Sequence, residues 1–389
     1  MDGGAAWRID RLIRDLGIGE PTGRVFRAAP RHLFIPAVAL AHPPAGTVYG
    51  IDRNADPTGW WDTVYSDTPI VTQLDDGATA IRDVIGGDGE VDTRAADYTS
   101  SNSAPSTVNG MLTRLAPEPG HRVLDVGTGT GWTAALLSHL AGERNVTSVE
   151  VDPALSERAD GNLNEAGVRP YLVVGDGAEG CPEQAPYDRV HVTCGVRRVP
   201  YAWVEQSRPG AVIALPYCPG FGTGHALRLV VGPEGTAHGR FPGFASYMPM
   251  RSQRAPRTRP APRPTDEHVS TTRVDPRTIA SAPAGADLAV STLTGLHAHG
   301  SAEPDEDGEP YRMWISDPAD PRSWAVVDRR PGEAEYEVYR VGHRPLWEEV
   351  VDAHTRWVGW GRRGRERYGI TVAPDGQRIW LDSPEHVIG

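Results

Sequence analysis

One stretch of the sequence is typical of a loop that holds a small charged ligand. Residues 127 to 131 read Gly-Thr-Gly-Thr-Gly, after an apolar run at 123 to 126 and before a helical pattern at 132 to 140. Glycines at such a turn let the backbone approach a ligand at a helix N-terminus, where exposed N–H groups attract a carboxylate or phosphate. Alone, the turn also fits a purely structural strand-to-helix connection.

Two further strand ends support a ligand site. A second predicted strand, residues 146 to 151, ends in Glu150, where a carboxylate can accept hydrogen bonds from two ribose hydroxyls. The run 171 to 174 leads into residues 175 to 177, Gly-Asp-Gly, where a side chain and a backbone amide can contact an adenine edge. The candidate cofactor-binding residues are Asp125, Gly127, Thr128, Gly129, Glu150, Val151, Asp176 and Gly177.

The spacing of the glycines separates two classes of nucleotide ligand. Dinucleotide-binding loops have the pattern G-x-G-x-x-G, which makes room for a pyrophosphate. Here Trp132 stands where the third glycine is needed. The acidic Asp125 and the Asp-Gly pair after the third strand also suit a sulfonium nucleoside better. The pattern therefore favours S-adenosyl-L-methionine, and a methyltransferase over a dehydrogenase.

These segments require a doubly wound sheet to bring them together. From His121 the pattern alternates strand, glycine turn, helix and strand, which predicts an α/β fold of the Rossmann-like, class I methyltransferase type. At 389 residues the chain exceeds the roughly 250 to 300 residues of one core. We predict an N-terminal accessory or lid region, a methyltransferase core, a Pro/Arg-rich linker and a C-terminal α+β domain. Their boundaries are 1–98, 99–250, 251–265 and 266–389.

Local patterns fill in the flanking regions. The apolar positions from Trp7 to Leu16 predict an N-terminal helix, and residues 75 to 98 are interpreted as a surface insertion. Beyond the linker, residues 314 to 328 and 336 to 342 predict strands. Residues 345 to 361 predict an amphipathic helix, and residues 368 to 383 predict two strands around a Pro-Asp-Gly turn.

Composition excludes several classes of protein. A net charge of −12, from 51 acidic and 39 basic residues, argues against a nucleic-acid binder. Cys181, Cys194 and Cys218 form no CxxC pair, so we expect neither a disulfide framework nor a metal site. The first twenty residues lack a signal peptide's apolar core, and no segment is apolar enough to span a membrane. A cytoplasmic protein is expected.

Residues 99 to 217 resemble the protein-L-isoaspartate O-methyltransferase family. The motifs that carry this resemblance are PRHLFIP (30–36), SNSAPS (101–106), GHRVLDVGTGTGWTAALLSHL (120–140), GDGAEG (175–180), APYDRVHVTC (185–194) and RPGAVIALP (208–216). PRHLFIP and the Ser-Ala-Pro element lie outside the nucleotide fold, which makes the match more specific. The family often has His after this proline, whereas Ser106 stands here.

The resemblance implies a role for Ser103. In the family the matching serine lies between the cofactor and the substrate carboxylate, so Ser103 is the candidate catalytic residue, orienting that carboxylate. The alternative is that Ser103 only caps the helix that starts near Ser106, which is a common role of serine. Cys194 and His191 invite a nucleophilic interpretation, but small-residue packing explains Cys194 better.

The remaining segments resemble a peptide-tailoring branch of the family, the methyltransferases of graspetide or lanthipeptide maturation. GRFPGFASYMPMR (239–251), RPLWEEV (344–350) and RYGITVAPDGQRIWLDSPE (367–385) carry this similarity. It implies methylation of an aspartate carboxylate in a ribosomally made peptide. That peptide is acidic and crosslinked by an ATP-grasp ligase, and the ester leads to a succinimide (aspartimide) or isoaspartate.

Two alternatives stay open: a repair enzyme that methylates L-isoaspartate in damaged proteins, and a non-catalytic peptide-binding module. Candidate substrate-binding residues are Ser101, Trp60, Arg344 and Arg363. The arginines belong to a group of seven between residues 339 and 368, which either binds an acidic peptide or forms internal ion pairs. Trp60 either lines a peptide groove or packs between segments.

Overall fold

The chain folds into two compact units in a computed structural model that describes residues 3–44, 46–86, 90–92, 96–254, 268–300 and 310–389. The first unit comprises Met1–Cys194, Pro200–Leu215 and Val230–Gly235. The second comprises Gly195–Val199, Pro216–Leu229 and Thr236–Gly389. The chain therefore passes between the units more than once. The domains predicted from sequence are consecutive segments of the chain, and they stay a prediction.

The α-helices are α1 (Gly3–Asp15), α2 (Thr22–Ala28), α3 (Pro57–Val64), α4 (Pro105–Leu115), α5 (Trp132–Ala141), α6 (Pro153–Glu165), α7 (Tyr201–Glu205), α8 (Pro276–Ala280), α9 (Ala284–Thr294) and α10 (Leu346–Gly359). The strands are β1 (Val38–Ala41), β2 (Tyr49–Asp52), β3 (Ile70–Leu74), β4 (Tyr98–Asn102), β5 (Val123–Val126), β6 (Val146–Glu150), β7 (Tyr171–Val174), β8 (Tyr187–Val192), β9 (Ser207–Tyr217), β10 (His225–Val231), β11 (Ala237–Phe244), β12 (His268–Thr272), β13 (His297–Gly300), β14 (Tyr311–Asp317), β15 (Asp320–Arg329), β16 (Tyr336–Val341), β17 (Tyr368–Ala373) and β18 (Gly376–Leu381). Among the described residues, no helix is both long enough and apolar enough to cross a membrane.

A parallel sheet organises the first unit. Its strand order is β9–β8–β5–β6–β7, and each neighbouring pair is parallel. β5 and β6 are buried along their whole length, as strands of a parallel sheet covered on both faces must be. Helices α5 and α6 follow β5 and β6, so the chain alternates strand and helix. This confirms the predicted Rossmann-like α/β class and gathers the carboxyl ends of β5, β6, β7 and β8 at one edge.

A second sheet in the same unit has the antiparallel order β2–β1–β3–β4. A buried cluster packs against it and includes Leu40 and Leu74 of the sheet with Val84 and Ala96. Because Val84 and Ala96 belong to the segment 75–98, the prediction of a surface insertion is wrong for part of it. The segment contributes apolar side chains to a core, and it contains the short 3-10 helix Ile81–Val84.

The second unit contains a five-stranded antiparallel sheet with the order β12–β16–β15–β14–β13. Its core includes Ile315, Val327 and Val338 of the strands together with Trp347 and Val350 of α10. The predicted strands and amphipathic helix are therefore confirmed. The patterns did not reveal α8 and α9. The predicted Pro/Arg-rich linker lies mostly at residues 255–265, outside the described residues.

The last two strands form a hairpin whose partner strand the sequence interpretation did not specify. β17 and β18 form the predicted hairpin, with Ala373 opposite Gly376. However, β17 pairs with β11, with Gly239 opposite Ile370, and not with the sheet that contains β12 to β16. β11 lies within the stretch predicted as the methyltransferase core, and the assignment of the hairpin to a C-terminal α+β domain stays a prediction. The patterns could indicate two strands but not their partner, because β11 lies more than 120 residues earlier in the chain.

Candidate cofactor and acceptor site

The glycine turn after β5 requires its glycines. Gly127 has φ +92° and Gly131 has φ +96°, a region that L side chains rarely adopt. A Cβ on Gly127 would lie 2.6 Å from the hydroxyl oxygen of Thr193. That hydroxyl donates to the carbonyl oxygen of Gly127 at 2.5 Å, which fixes the turn to the end of β8. The turn carries no side chain at Gly127, Gly129 and Gly131, so a ligand can approach its backbone closely.

Helix α5 begins directly at this turn, at Trp132. Its N-cap is Gly131, and no side chain caps its first N–H groups. The first turn of a helix leaves N–H groups without intrahelical partners, and the helix dipole adds partial positive charge there. The arrangement suits a carboxylate-bearing ligand, as the glycine spacing predicts.

Glu150 is held at the end of β6, beside the same turn. It is 6% exposed, and its Oε2 accepts a hydrogen bond from the backbone N–H of Gly129 at 2.8 Å. Its Oε1 accepts from the N–H of Asp152 at 3.1 Å. A carboxylate offers about four acceptor positions, so these bonds orient Glu150 while leaving its chemistry suited to the two hydroxyls of a ribose. The geometry thus brings Glu150 and the glycine turn together.

Asp152, two residues after Glu150, has a structural role instead. One carboxylate oxygen accepts from the N–H groups of Ala154 and Leu155 and so caps α6. The other accepts from Nε2 of Gln73 at 3.0 Å. Because Gln73 lies on β3, this bond ties the antiparallel sheet to the carboxyl end of β6.

Asp125 is fully buried on β5. Its Oδ2 accepts a hydrogen bond of 2.8 Å from the hydroxyl of Ser148, and its Oδ1 lies 2.9 Å from Nδ1 of His191. The hydroxyl of Ser148 lies 2.7 Å from that of Thr128 in the turn. Both Asp125 and Thr128 therefore face the protein interior. Their direct contact with the cofactor stays a prediction, and their hydrogen bonds support the glycine turn.

The remaining predicted cofactor residues lie at the ends of β6 and β7. Val151 is 37% exposed, unusual for an apolar residue directly after a buried strand. Asp176 is half-buried, and its Oδ1 accepts from the N–H of Ala178. Gly177 is buried, and its carbonyl oxygen accepts from Nε1 of Trp203 at 2.7 Å. These contacts fix the loop after β7 at the same edge of the sheet as Glu150.

The segment at residues 101 to 103 adjoins the glycine turn. Nδ2 of Asn102 donates to the hydroxyl of Thr130 at 3.3 Å. A Cβ on Gly129 would lie 3.7 Å from the hydroxyl oxygen of Ser100. β4 therefore ends against the cofactor turn, and the chain continues from there through Ser103 into α4.

Ser103 does not cap α4. That helix starts at Pro105, with Ala104 as N-cap and no side-chain cap, and the N–H of Ser106 donates to Asp67 instead. The hydroxyl of Ser103 is partly exposed and has no hydrogen-bond partner among the described residues. The alternative of a pure capping role is therefore wrong, whereas the predicted role toward a substrate carboxylate stays a prediction.

Arg31 is a residue that sequence reasoning missed. It lies in the 3-10 helix Arg31–Phe34 and is 1% exposed. Its Nη2 donates to the carbonyl oxygen of Ser103 at 2.9 Å, and its Nε donates to Oδ1 of Asn102 at 2.7 Å. The arginine stood within the PRHLFIP motif, but nothing in the local pattern indicated a partner 71 residues away. Arg31 thus holds the segment that contains the candidate catalytic serine.

The predicted substrate-binding residues divide into two groups. Trp60 is 1% exposed, and its indole N–H donates to the carbonyl oxygen of Pro36, so it cannot line a peptide groove. Arg344 donates hydrogen bonds to the carboxylates of Asp317 and Glu349, so its positive charge is paired with acidic residues of the second unit. Both predictions are therefore corrected to internal roles. Ser101 is half-buried and Arg363 is exposed, and both stay candidates.

His191 has the orienting partner that the sequence did not reveal. Asp125 lies against its ring, on the neighbouring strand, and both side chains are buried. This contact orients the ring of His191 and does not by itself make a nucleophile of Cys194. No cluster of three or more potential metal ligands occurs within the described ranges.

With this geometry in place, comparison with known proteins is informative. The model of the family described as Protein-L-isoaspartate(D-aspartate) O-methyltransferase matches residues 91–227. A protein-L-isoaspartate O-methyltransferase of Pyrococcus abyssi is 39% identical over 153 residues, which are 38% of this chain and 68% of the relative. The chain belongs to this family. A relative of the same name from Thermococcus onnurineus is 45% identical over 116 residues, 29% of this chain and 52% of the relative.

This member of the protein-L-isoaspartate O-methyltransferase family therefore has S-adenosyl-L-methionine as its cofactor. The chain matches only part of the length of its curated relatives. In the Thermococcus protein the matched part is about half of the length. A solved structure titled protein-L-isoaspartate O-methyltransferase is 22% identical, with a TM-score of 0.53, and covers 96% of this chain and 100% of that one. At this identity the likeness shows the fold alone.

Proposed function

We propose that this chain transfers a methyl group from S-adenosyl-L-methionine to the free α-carboxylate of an L-isoaspartyl residue in a peptide or protein. The observation that carries the proposal is the contact between Asn102 and Thr130, at 3.3 Å. It joins the segment with Ser103 to the cofactor turn, so one site can hold donor and acceptor. The names of the relatives support this acceptor over an ordinary aspartate.

The residues around the glycine turn suit S-adenosyl-L-methionine. Glu150 suits the ribose hydroxyls, and the uncapped start of α5 suits the carboxylate of the amino-acid portion. A side chain on Gly127 would meet Thr193, so the close backbone approach is built into the turn. When bound, S-adenosyl-L-methionine supplies a methyl group on a positively charged sulfur.

The chain's task toward the acceptor is orientation. An aspartate-type carboxyl group has a reference pKa of about 3.9, so it is ionised at neutral pH and needs no general base. Ser103 donates a hydrogen bond to one carboxylate oxygen, and the other oxygen remains the nucleophile. Holding the two reactants in line can lower the free-energy barrier of their reaction by about 7 to 11 kcal/mol.

The product ester is chemically activated. The backbone nitrogen that follows the modified residue attacks the ester carbonyl carbon, the carbon–methoxy bond breaks, and methanol leaves with the amide proton. A succinimide results, which water can open to aspartate or isoaspartate. These later steps need only the peptide itself and water.

A second candidate is methylation of an L-aspartate in a crosslinked, acidic peptide. The observation that favours it is the extent of chain outside the family match, which ends at residue 227 and omits the whole sheet of β12 to β16. An added sheet can hold a larger acceptor than a single damaged residue. Arg363, exposed in this unit, is a candidate contact for such a peptide.

One experiment separates the candidates. The purified chain is offered methyl-labelled cofactor with three peptides of matched sequence: linear isoaspartyl, linear aspartyl, and aspartyl with a side-chain crosslink. We expect the label mainly on the isoaspartyl peptide, detected as a mass increase of one methyl group. Labelling of the crosslinked peptide alone would overturn this in favour of the tailoring function. Cofactor binding with no transfer to any peptide would identify a non-catalytic module.

A further inference from the structure

Arg31 carries a buried charge whose hydrogen-bond partners are all uncharged. Its partners are Oδ1 of Asn102 and the backbone carbonyl oxygens of Val64, Ser66, Thr68, Asn102 and Ser103, at 2.7 to 3.3 Å. A buried cation is normally paired with a carboxylate, because removing it from water is costly. The side chain is therefore well satisfied geometrically while its positive charge is not neutralised by a bonded anion.

The environment of Arg31 is unusual for an arginine. Burial lowers the pKa of Arg31 to about 9, and Asp67 acts in the opposite direction through its charge. Asp67 is not bonded to the guanidinium; its Oδ1 accepts from the N–H of Ser106. The guanidinium also lies 5.4 Å from the ring of Trp132, the first residue of α5. Arg31 is thus adjacent to both the acceptor segment and the cofactor turn.

We propose that Arg31 is a positioning residue that selects an anionic acceptor, by holding residues 102 and 103 and by placing a positive charge directly behind Ser103. The inference rests on the proposed function and deepens it. An incoming carboxylate is the anion that the buried charge lacks. A neutral acceptor of the same shape gains nothing from it, because only charged ligands respond to a net charge in a poorly screened interior.

The test uses a change that cancels the charge and keeps the shape. In Asn102→Asp, the side chain has the same size and still accepts from Nε of Arg31, but it adds a bonded negative charge. Its second oxygen replaces the amide N–H that donates to Thr130, and the Thr130 hydroxyl can donate to that oxygen instead. The matched control is Asn54→Asp, the same change at an exposed position outside the site. Two quantities are measured for each protein: the KM of an isoaspartyl peptide, and the inhibition constant of the same peptide with the carboxylate replaced by a neutral carboxamide.

We expect Asn102→Asp to raise the KM of the isoaspartyl peptide about tenfold and to change the inhibition constant of the carboxamide less than twofold. Asn54→Asp should change neither. An equal loss for both peptides would mean that the segment was merely distorted, and no loss for either would mean that the charge is irrelevant. Both results overturn the inference.

A second variant separates charge from scaffolding. Arg31→Lys keeps the positive charge but cannot make the same fork of hydrogen bonds. It should lower the melting temperature while retaining the preference for the isoaspartyl peptide over the carboxamide. Loss of that preference in a folded Arg31→Lys protein would contradict the proposal. Failure of the unmodified chain to methylate the isoaspartyl peptide would instead remove the proposed function, before any variant is compared.

Discussion

The backbone N–H of Gly129 donates a hydrogen bond of 2.8 Å to the carboxylate of Glu150. The two residues belong to consecutive strand ends of a parallel sheet, and their bond closes the gap between the cofactor turn and the residue suited to the ribose. Disturbing either residue should therefore affect cofactor binding before it affects the acceptor.

Glu150→Gln should weaken binding of S-adenosyl-L-methionine by about 10- to 100-fold, because hydrogen bonds to a charged group contribute about 1.5 to 3 kcal/mol. Titration calorimetry measures the change. The control is Glu165→Gln at the exposed end of α6, which removes the same charge away from the site. Equal affinities for the two variants would show that Glu150 does not contact the cofactor.

Gly127→Ala should lower the free energy of unfolding by about 1 to 3 kcal/mol, because the residue has φ +92° and its new Cβ would meet Thr193. Urea denaturation measures this. In contrast, Gly161→Ala on α6, where a Cβ meets nothing within 4 Å, should stabilise the protein by about 0.5 to 1 kcal/mol. If Gly127→Ala changed neither the free energy of unfolding nor the cofactor affinity, the assignment of this turn to the cofactor would be wrong.

Ser103→Ala should lower kcat/KM for the isoaspartyl peptide about 10- to 100-fold and leave cofactor affinity unchanged, because one hydrogen bond to the acceptor carboxylate is lost. Steady-state kinetics with labelled cofactor measures it. Ser106→Ala, at the exposed second residue of α4, provides the comparison. A Ser103→Ala protein with normal kinetics would rule out the orienting role.

The stability of the second unit should fall as the pH drops from about 6.5 to about 4. Burial, with a contribution from Arg197, lowers the pKa of His297 from 6.5 to about 4. Between these values the unfolded chain binds a proton that the folded chain does not, so unfolding takes up protons and stability rises with pH. His297→Gln should flatten this part of the curve of urea midpoint against pH.

His343→Gln, an exposed histidine of the same unit, is the control for that change. An unaltered pH dependence in His297→Gln would show that other groups account for the acid sensitivity.

The local parts of the site could be predicted from sequence. β5, α5, β6 and β7 lie where the hydrophobic patterns indicate. β5 and β6 are buried along their whole length, as in a parallel sheet covered on both faces, whereas the edge strand β7 exposes Tyr171 and Val174. Glu150 and the glycine turn follow from the same pattern. The fold class was predictable for this reason.

What the sequence could not provide depends on contacts between distant residues. Arg31 reaches Asn102 and Ser103 through side-chain hydrogen bonds that no periodicity encodes. Trp60 had the residue type of a binding surface, but its burial is set by packing of the N-terminal sheet. Arg344 belongs to a basic stretch, yet it forms ion pairs with Asp317, the last residue of β14, and with Glu349 of α10.

The pairing of β17 with β11 bears on where the chain can be shortened. A fragment that ended near residue 250 would retain β11 but lose the strand that satisfies its backbone groups. An uncovered strand edge of this kind pairs readily with other molecules. Such a fragment should precipitate, although every residue that we assign to the cofactor would still be present in it.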